Sequence, residues 1–201
     1  MSMTDRIDNK KNSMDNNKDN LSVKKIQRKS HDTRFVAYLI ITLLMMIFIF
    51  FQSSLPAYTS QEESDIIVRF LSRFTDRDAE MLSFIVRKLA HFTEYTLLGL
   101  FISLTAKEHY NKKRYHEEQH SEKHYHDEHF HKGQFLIRIF IIPLICGVLY
   151  AASDEIHQRF VPGRSCELRD VLIDTCGVLL GVLIVNICQH LIARKKKLKH
   201  K

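Results

Sequence analysis

RKLAHFTEYTLLG, residues 87–99, begins as a charged segment and ends as an apolar one. The chain stays apolar over 89–106, long enough for a helix to cross a bilayer, which takes about 20 residues. An ionisable side chain inside such a span costs about 2.5–3.5 kcal/mol on insertion scales unless something pairs it. On a helix, Arg87, His91, Glu94 and Tyr95 follow i, i+4, i+7, i+8 and share a face, with Lys88 beside it. If the hydrocarbon begins near Leu89, the helical rise puts Glu94 about 8 Å below the surface. An anion at that depth needs a partner. Lys88 sits too far above it to serve alone, so Arg164 or another group of a second charged cluster is the expected one.

That second cluster is SDEIHQRFVPGRSCELRD, residues 153–170. Asp154, His157 and Gln158 share a face at i, i+3, i+4, and Glu155 lies beside them. Pro162 fixes φ and Gly163 permits positive φ, which a sharp turn before Arg164 requires. Asp170 opens the next helix, where a carboxylate suits the positive dipole end. Asp174, Gly177 and Gly181 continue its face, and the Gly-x-x-x-Gly spacing admits close approach of another helix. The expectation is that this stripe brings the last span against residues 89–106, so that Asp174 faces His91 or Glu94.

Three further apolar runs complete the set, at 35–51, 135–152 and 171–193. The reading is all-α: a polytopic membrane protein, a four-helix transmembrane bundle with an interfacial amphipathic helix. The interfacial helix is drawn from Ile66, Ile67, Phe70, Leu71 and Phe74 at helical spacing, with Arg69 and Arg73 between them and Ser64 or Asp65 as cap. Thr75 or Asp76 then opens the helix that carries the first cluster. The remaining parts are a polar tail at 1–34, expected to be disordered, a His-rich insertion at 107–134 and a basic C-terminal tail at 194–201. Of the 201 residues 45% are hydrophobic, yet mean hydropathy is slightly negative, because polar residues are segregated into these appendages. The run at 35–51 is read as a retained helix and not a cleaved signal, since no small-residue cleavage pattern follows it.

Orientation follows from Lys and Arg. Lys24, Lys25, Arg28, Lys29 and Arg34 crowd the first span, the insertion holds Lys107, Lys112, Lys113, Arg114, Lys123 and Lys132, and the chain ends RKKKLKHK. These regions are expected in the cytoplasm, with both termini, in a multi-pass protein of the cell membrane. Both charged clusters then face the extracytoplasmic side.

Other chemistry is thin. Cys146, Cys176 and Cys188 lie in apolar runs and read as small apolar fillers, and no CxxC spacing occurs. Neither Gly-x-Ser-x-Gly, HExxH nor a P-loop is present. In the insertion His116, His120 and His124 have i, i+4 spacing that suits a metal, but a solvated low-complexity segment is the preferred reading. Two i, i+3 pairs, His91 with Glu94 and Asp154 with His157, offer a weaker metal alternative, against which Arg87, Lys88 and Arg164 compete. No cofactor, metal or nucleic-acid partner is assigned.

The pairing of RKLAHFTEY…G with SDEIHQRFVPGR…DVLIDTCGVLLG resembles the VanZ-like family of small bacterial membrane proteins, over roughly residues 35–192. The family's polar positions fall on Lys88, His91, Glu94, Tyr95, Asp154, Glu155, His157, Gln158, Pro162, Gly163, Arg164 and Asp170. Asp174 departs from the resemblance, which commonly has Asn there. The resemblance implies a Gram-positive type membrane protein, and its namesake confers resistance to the glycopeptide teicoplanin. It implies no settled reaction. The candidate site is therefore Arg87, Lys88, His91, Glu94, Tyr95, Asp154, Glu155, His157, Gln158, Arg164, Asp170 and Asp174. It is read as a salt-bridged scaffold, as a site for a membrane lipid, envelope precursor or glycopeptide, or as an active site with His91 and His157 as acid and base.

Membrane-impermeant thiol labelling checks the orientation: Cys166 is expected to react from outside, while a cysteine placed at Gln119 is not. Labelling at 119 alone reverses the topology.

Overall fold

The structure, a computed structural model, describes residues 3–56, 67–70, 72–73, 78–120, 137–164 and 166–199, and they form helices and turns with no strand among them. Helix α1 is Met3–Ser54 and α2 is Ala79–His120. A π-helical turn, Ile137–Ile141, leads into α3, Ile142–Gln158, and α4 is Leu168–Lys199.

Three helices are long and apolar enough to cross a membrane: Arg28–Ser54 within α1, Ile137–Gln158 and Leu168–Lys195. The expected fourth, at 89–106, does not stand with them by composition. His91, Thr93, Glu94, Tyr95 and Thr96 fall within two turns of it and lower its hydropathy. Packing accounts for this. Helix α2 lies against α1, α3 and α4, most extensively against α4, so its polar side chains are covered by protein. Tyr95, Leu98 and Ser103 are fully buried. By contrast Leu44, Ile47 and Phe51 on α1, and Ile187 and Leu191 on α4, are exposed as a lipid-facing surface would be.

The helices outrun the apolar stretches that announced them. Where the tail at 1–34 is expected to be disordered, α1 is helical from Met3. Likewise α2 continues into the insertion as far as His120, and α4 through the basic tail to Lys199. Once an apolar span has nucleated a helix, each further residue adds one hydrogen bond at modest entropic cost, and a drop in apolarity marks the end of the hydrocarbon, not of the helix. Near the described start of this extension His31 Nδ1 lies 2.7 Å from Glu108 Oε2 and Lys112 Nζ 2.9 Å from Asp32 Oδ1, tying α1 to α2. Where an interfacial helix is expected, a single helical turn, 67–70, is described, with Val68 buried. Ile66, Leu71 and Phe74, the capping candidates Ser64 and Asp65, and Thr75 and Asp76 lie outside the described residues, as does the insertion from 121 on.

The core gathers Ile49, Tyr95, Leu98, Ala151, Val178 and Val182, one or two residues from each helix. The expected glycine stripe is in place between α4 and α2. A Cβ on Gly177 would meet the Phe92 carbonyl oxygen at 2.6 Å, and one on Gly181 would run into the Thr96 carbonyl. Gly99 makes the reciprocal contact with the backbone of Val178. Two helices touching backbone to backbone set α4 in register with α2, so Asp174 is held beside the face that carries His91 and Glu94. The turn between α3 and α4 uses Gly163 at φ 77°, where only glycine is free of strain.

Gly181→Val should therefore separate α4 from α2 and destabilise the protein by at least the about 1–3 kcal/mol typical of overpacking. Denaturant unfolding in detergent measures it, and an unchanged midpoint would show that the helices do not depend on this contact.

Candidate functional site at one end of the bundle

The last turn of α1, the first half of α2, the last turn of α3 and the first turns of α4 converge at one end of the bundle. Asp154 sits at their meeting point, 3% exposed. Its Oδ2 accepts hydrogen bonds from Ser53 Oγ at 2.7 Å, Tyr95 OH at 3.0 Å and Gln158 Nε2 at 3.0 Å. Donors from α1, α2 and its own helix thus compensate the buried carboxylate. Its Oδ1 is buried with no hydrogen-bond partner among the described residues.

Above this hub opens a cavity of about 350 Å³. Arg87, Lys88, His91 and Glu94 line it from α2, Glu155 and Gln158 from α3, Arg164 and Glu167 from the turn, and Asp170 and Asp174 from α4. The two clusters therefore form one site. Three of the twelve candidate residues stand apart. Asp154 and Tyr95 lie beneath the cavity, and His157 turns away to α1, where Nε2 is 3.0 Å from Ser54 Oγ and the ring stacks on Phe50 at 4.5 Å. The acid–base pair of His91 and His157 is thereby divided between two faces.

Some of the cavity's charges are matched. Lys88 pairs with Asp170. Glu155 Oε1 accepts the backbone N–H of Glu167 at 2.6 Å. Arg164 donates from Nε to the Leu55 carbonyl at 3.0 Å and from Nη2 to the Gln52 carbonyl at 3.1 Å. These carbonyls lie at the C-terminal end of α1, where the helix leaves acceptors without partners. The residue expected to neutralise Glu94 is thus also the cap of α1. Burial pushes the Arg164 guanidinium down from its usual range, and the Asp154 carboxylate works against that shift.

Other groups are left over. The nearest ion-pair contact of Glu94 is His91 Nδ1 at 3.8 Å, beyond hydrogen-bond reach. His91 Nδ1 and Asp170 Oδ1 are buried without a hydrogen bond among the described residues. Asp174, 3% exposed, faces the cavity and receives no hydrogen bond among the described residues. No group of three His, Cys, Asp or Glu among the described residues has the spacing of a metal site, and Asp154 and His157 point in different directions.

Sequence reasoning passed over the α1 contribution. Ser53 is fully buried on Asp154, 101 positions away in the chain. The available signal was the polar triplet Gln52-Ser53-Ser54 at the lip of the first apolar run, at the same depth as both clusters.

The sequence model of the VanZ/LLP1 family matches residues 35–189, which include the apolar part of α1, all of α2 and α3, most of α4 and every cavity residue named above, and the chain belongs to that family. No curated protein matches the chain, and no solved structure does.

The two kinds of carboxylate should respond differently to substitution. Asp154→Ala leaves three donors unpaired and should cost at least about 2–3 kcal/mol of stability. Glu94→Gln removes an uncompensated charge and should leave stability unchanged within about 1 kcal/mol, or raise it. Unfolding of both variants in detergent checks the contrast, and equal losses would make the whole cluster scaffold.

Proposed function

We propose that this membrane protein lowers susceptibility to teicoplanin-like lipoglycopeptides by binding a component of the cell envelope in the cavity between α2 and α4, on the extracytoplasmic side. One observation carries the reading: His91 Nδ1 and the carboxyls of Glu94 and Asp174 converge on an open volume of about 350 Å³ with no side-chain hydrogen-bond partner among the described residues. A cluster that served the fold alone would close on itself, as Asp154 does with Ser53, Tyr95 and Gln158. A concave site with a few convergent polar groups is how proteins hold small ligands, and this volume lies at the lower end of such sites. Family membership supports the resistance role, and the excess of Lys and Arg in the termini and the insertion supports the outward orientation.

An acid–base enzyme is the second reading, and the outward turn of His157 weighs against it. Chemistry there would fall to His91 with Glu94 or Asp174.

Drug susceptibility at matched protein level in a sensitive host tests the proposal. Wild type should protect. His91→Ala, Glu94→Gln and Arg164→Ala should each abolish protection at least in large part, while His120→Ala and His124→Ala in the insertion should not. Full protection by all three cavity variants would leave the cavity without a part in resistance, and a wild type that protects no host would remove the resistance role itself.

A further inference from the structure

The cavity does not end at its polar walls. Lys88, Phe84 and Ile173 also line a second hollow of about 350 Å³, whose other walls are Ile85, Leu89 and Phe92. Every residue of it except Lys88 is apolar, and Phe84, Ile85 and Leu89 are exposed on the outer surface of α2. An apolar groove between α2 and α4 therefore runs into the polar cavity past Lys88, which sits over the Phe84 ring at 5.3 Å while paired with Asp170, and the Arg169 guanidinium lies over the same ring at 5.4 Å.

Taking as given the reading of the cavity as a binding site, we propose that its ligand is a phospholipid whose head carries an ammonium group, with one hydrocarbon chain in the groove and the head in the cavity. The groove calls for the chain, since apolar area removed from water or from a polar head region has nowhere better to go. The charges select the head. Five carboxylates line the cavity, Glu94, Glu155, Glu167, Asp170 and Asp174, against the three cations Arg87, Lys88 and Arg164, with Arg169 paired to Glu167 from outside it. A purely anionic head would deepen that imbalance. Glu94 and Asp174 receive no hydrogen bond from the described residues, and a donor that brings positive charge would satisfy both as carboxylates. Arg87 has no ion pair among the described residues and stands ready for a phosphate beside Lys88.

The spacing agrees. Asp174 follows Asp170 by one helical turn, about 6 Å along α4, and Asp170 holds Lys88. A phosphate at Lys88 and Arg87 would place an ammonium on a short alkyl arm near Asp174 and Glu94. A lipid seated in this way reaches the site from within the leaflet, without leaving the membrane.

The full-length protein, purified and equilibrated with mixed micelles of phosphatidylethanolamine, phosphatidylglycerol and phosphatidylcholine of equal chain length, provides the test, with bound lipid read by native mass spectrometry. The ethanolamine lipid should be enriched about tenfold over the glycerol lipid, the scale of one charge-assisted hydrogen bond. It should also lead the choline lipid, whose methylated nitrogen cannot donate. Glu94→Gln with Asp174→Asn should bring the enrichment below twofold, and Leu89→Trp, which fills the groove, should lower retention of the ethanolamine lipid. Equal binding of the three lipids by wild type, or preference for the glycerol lipid, overturns the proposal, and does so even if a variant fails to fold. Enrichment that survives both the double substitution and the filled groove reports annular lipid only and overturns it too. The outcome separates from the resistance reading: antibiotic protection without lipid preference refutes the lipid, and lipid preference without protection supports the lipid while refuting the resistance role.

Discussion

A carboxylate that leaves water for the interior of a helix bundle must be met by donors, and Asp154 is met by three of them on a single oxygen. The donors arrive from the end of α1, the middle of α2 and the next turn of α3. Because hydrogen bonds are short and directional, satisfying them holds the three helices at a common depth and rotation. Arg164 repeats the device one layer out, reaching from the α3–α4 turn to two carbonyls of α1. The polar end of the bundle is thus built around groups that would be expensive to leave unpaired, and the cavity above them inherits its shape from that requirement.

The apolar half of the molecule solves a different problem. Hydrocarbon gives helices no hydrophobic reason to associate, so close backbone packing must supply the attraction. Gly99, Gly177 and Gly181 supply it between α2 and α4 by removing the side chains that would keep the helices apart. The consequence reaches the site directly. Asp174 lies one turn before Gly177, and it can face the His91 and Glu94 side of α2 only because the glycine contact holds α4 so near.

Much of this was legible in the sequence, for reasons that lie in particular residues. The apolar runs at 35–51, 135–152 and 171–193 stand out because lipid tolerates little else. The glycine stripe and its partner helix were readable because spacing on a helix fixes a face. Helix α2 was harder: its 89–106 stretch reads as a span, yet its polar turn, from His91 to Thr96, belongs to a helix enclosed by others. Helix ends were not legible, since apolarity stops at the membrane and hydrogen bonding does not. Nor was the role of Ser53, which depends on a contact across 101 positions that no local pattern encodes. The division of the site had the same origin: His157 and Asp154 share a helical face by spacing, but Phe50 and Ser54 draw the imidazole toward α1 while Tyr95 and Ser53 draw the carboxylate inward.

That division also says what kind of site this is. The acids at this end of the bundle fall into two groups that the same fold treats oppositely. Asp154 and Glu155 accept hydrogen bonds from the protein itself, and Asp170 has Lys88. Glu94 and Asp174 face the open volume with no donor among the described residues. A bundle able to surround one carboxylate with three donors is not short of means to satisfy another, and Gln158, one of those donors, also lines the cavity. The uncompensated acids cost stability where they stand, and retaining that cost beside an apolar groove makes physical sense when the missing donor comes with a ligand. Satisfied hydrogen bonds are thus concentrated in the lower layer and unsatisfied acids in the upper one, with Lys88 where the cavity meets the apolar groove.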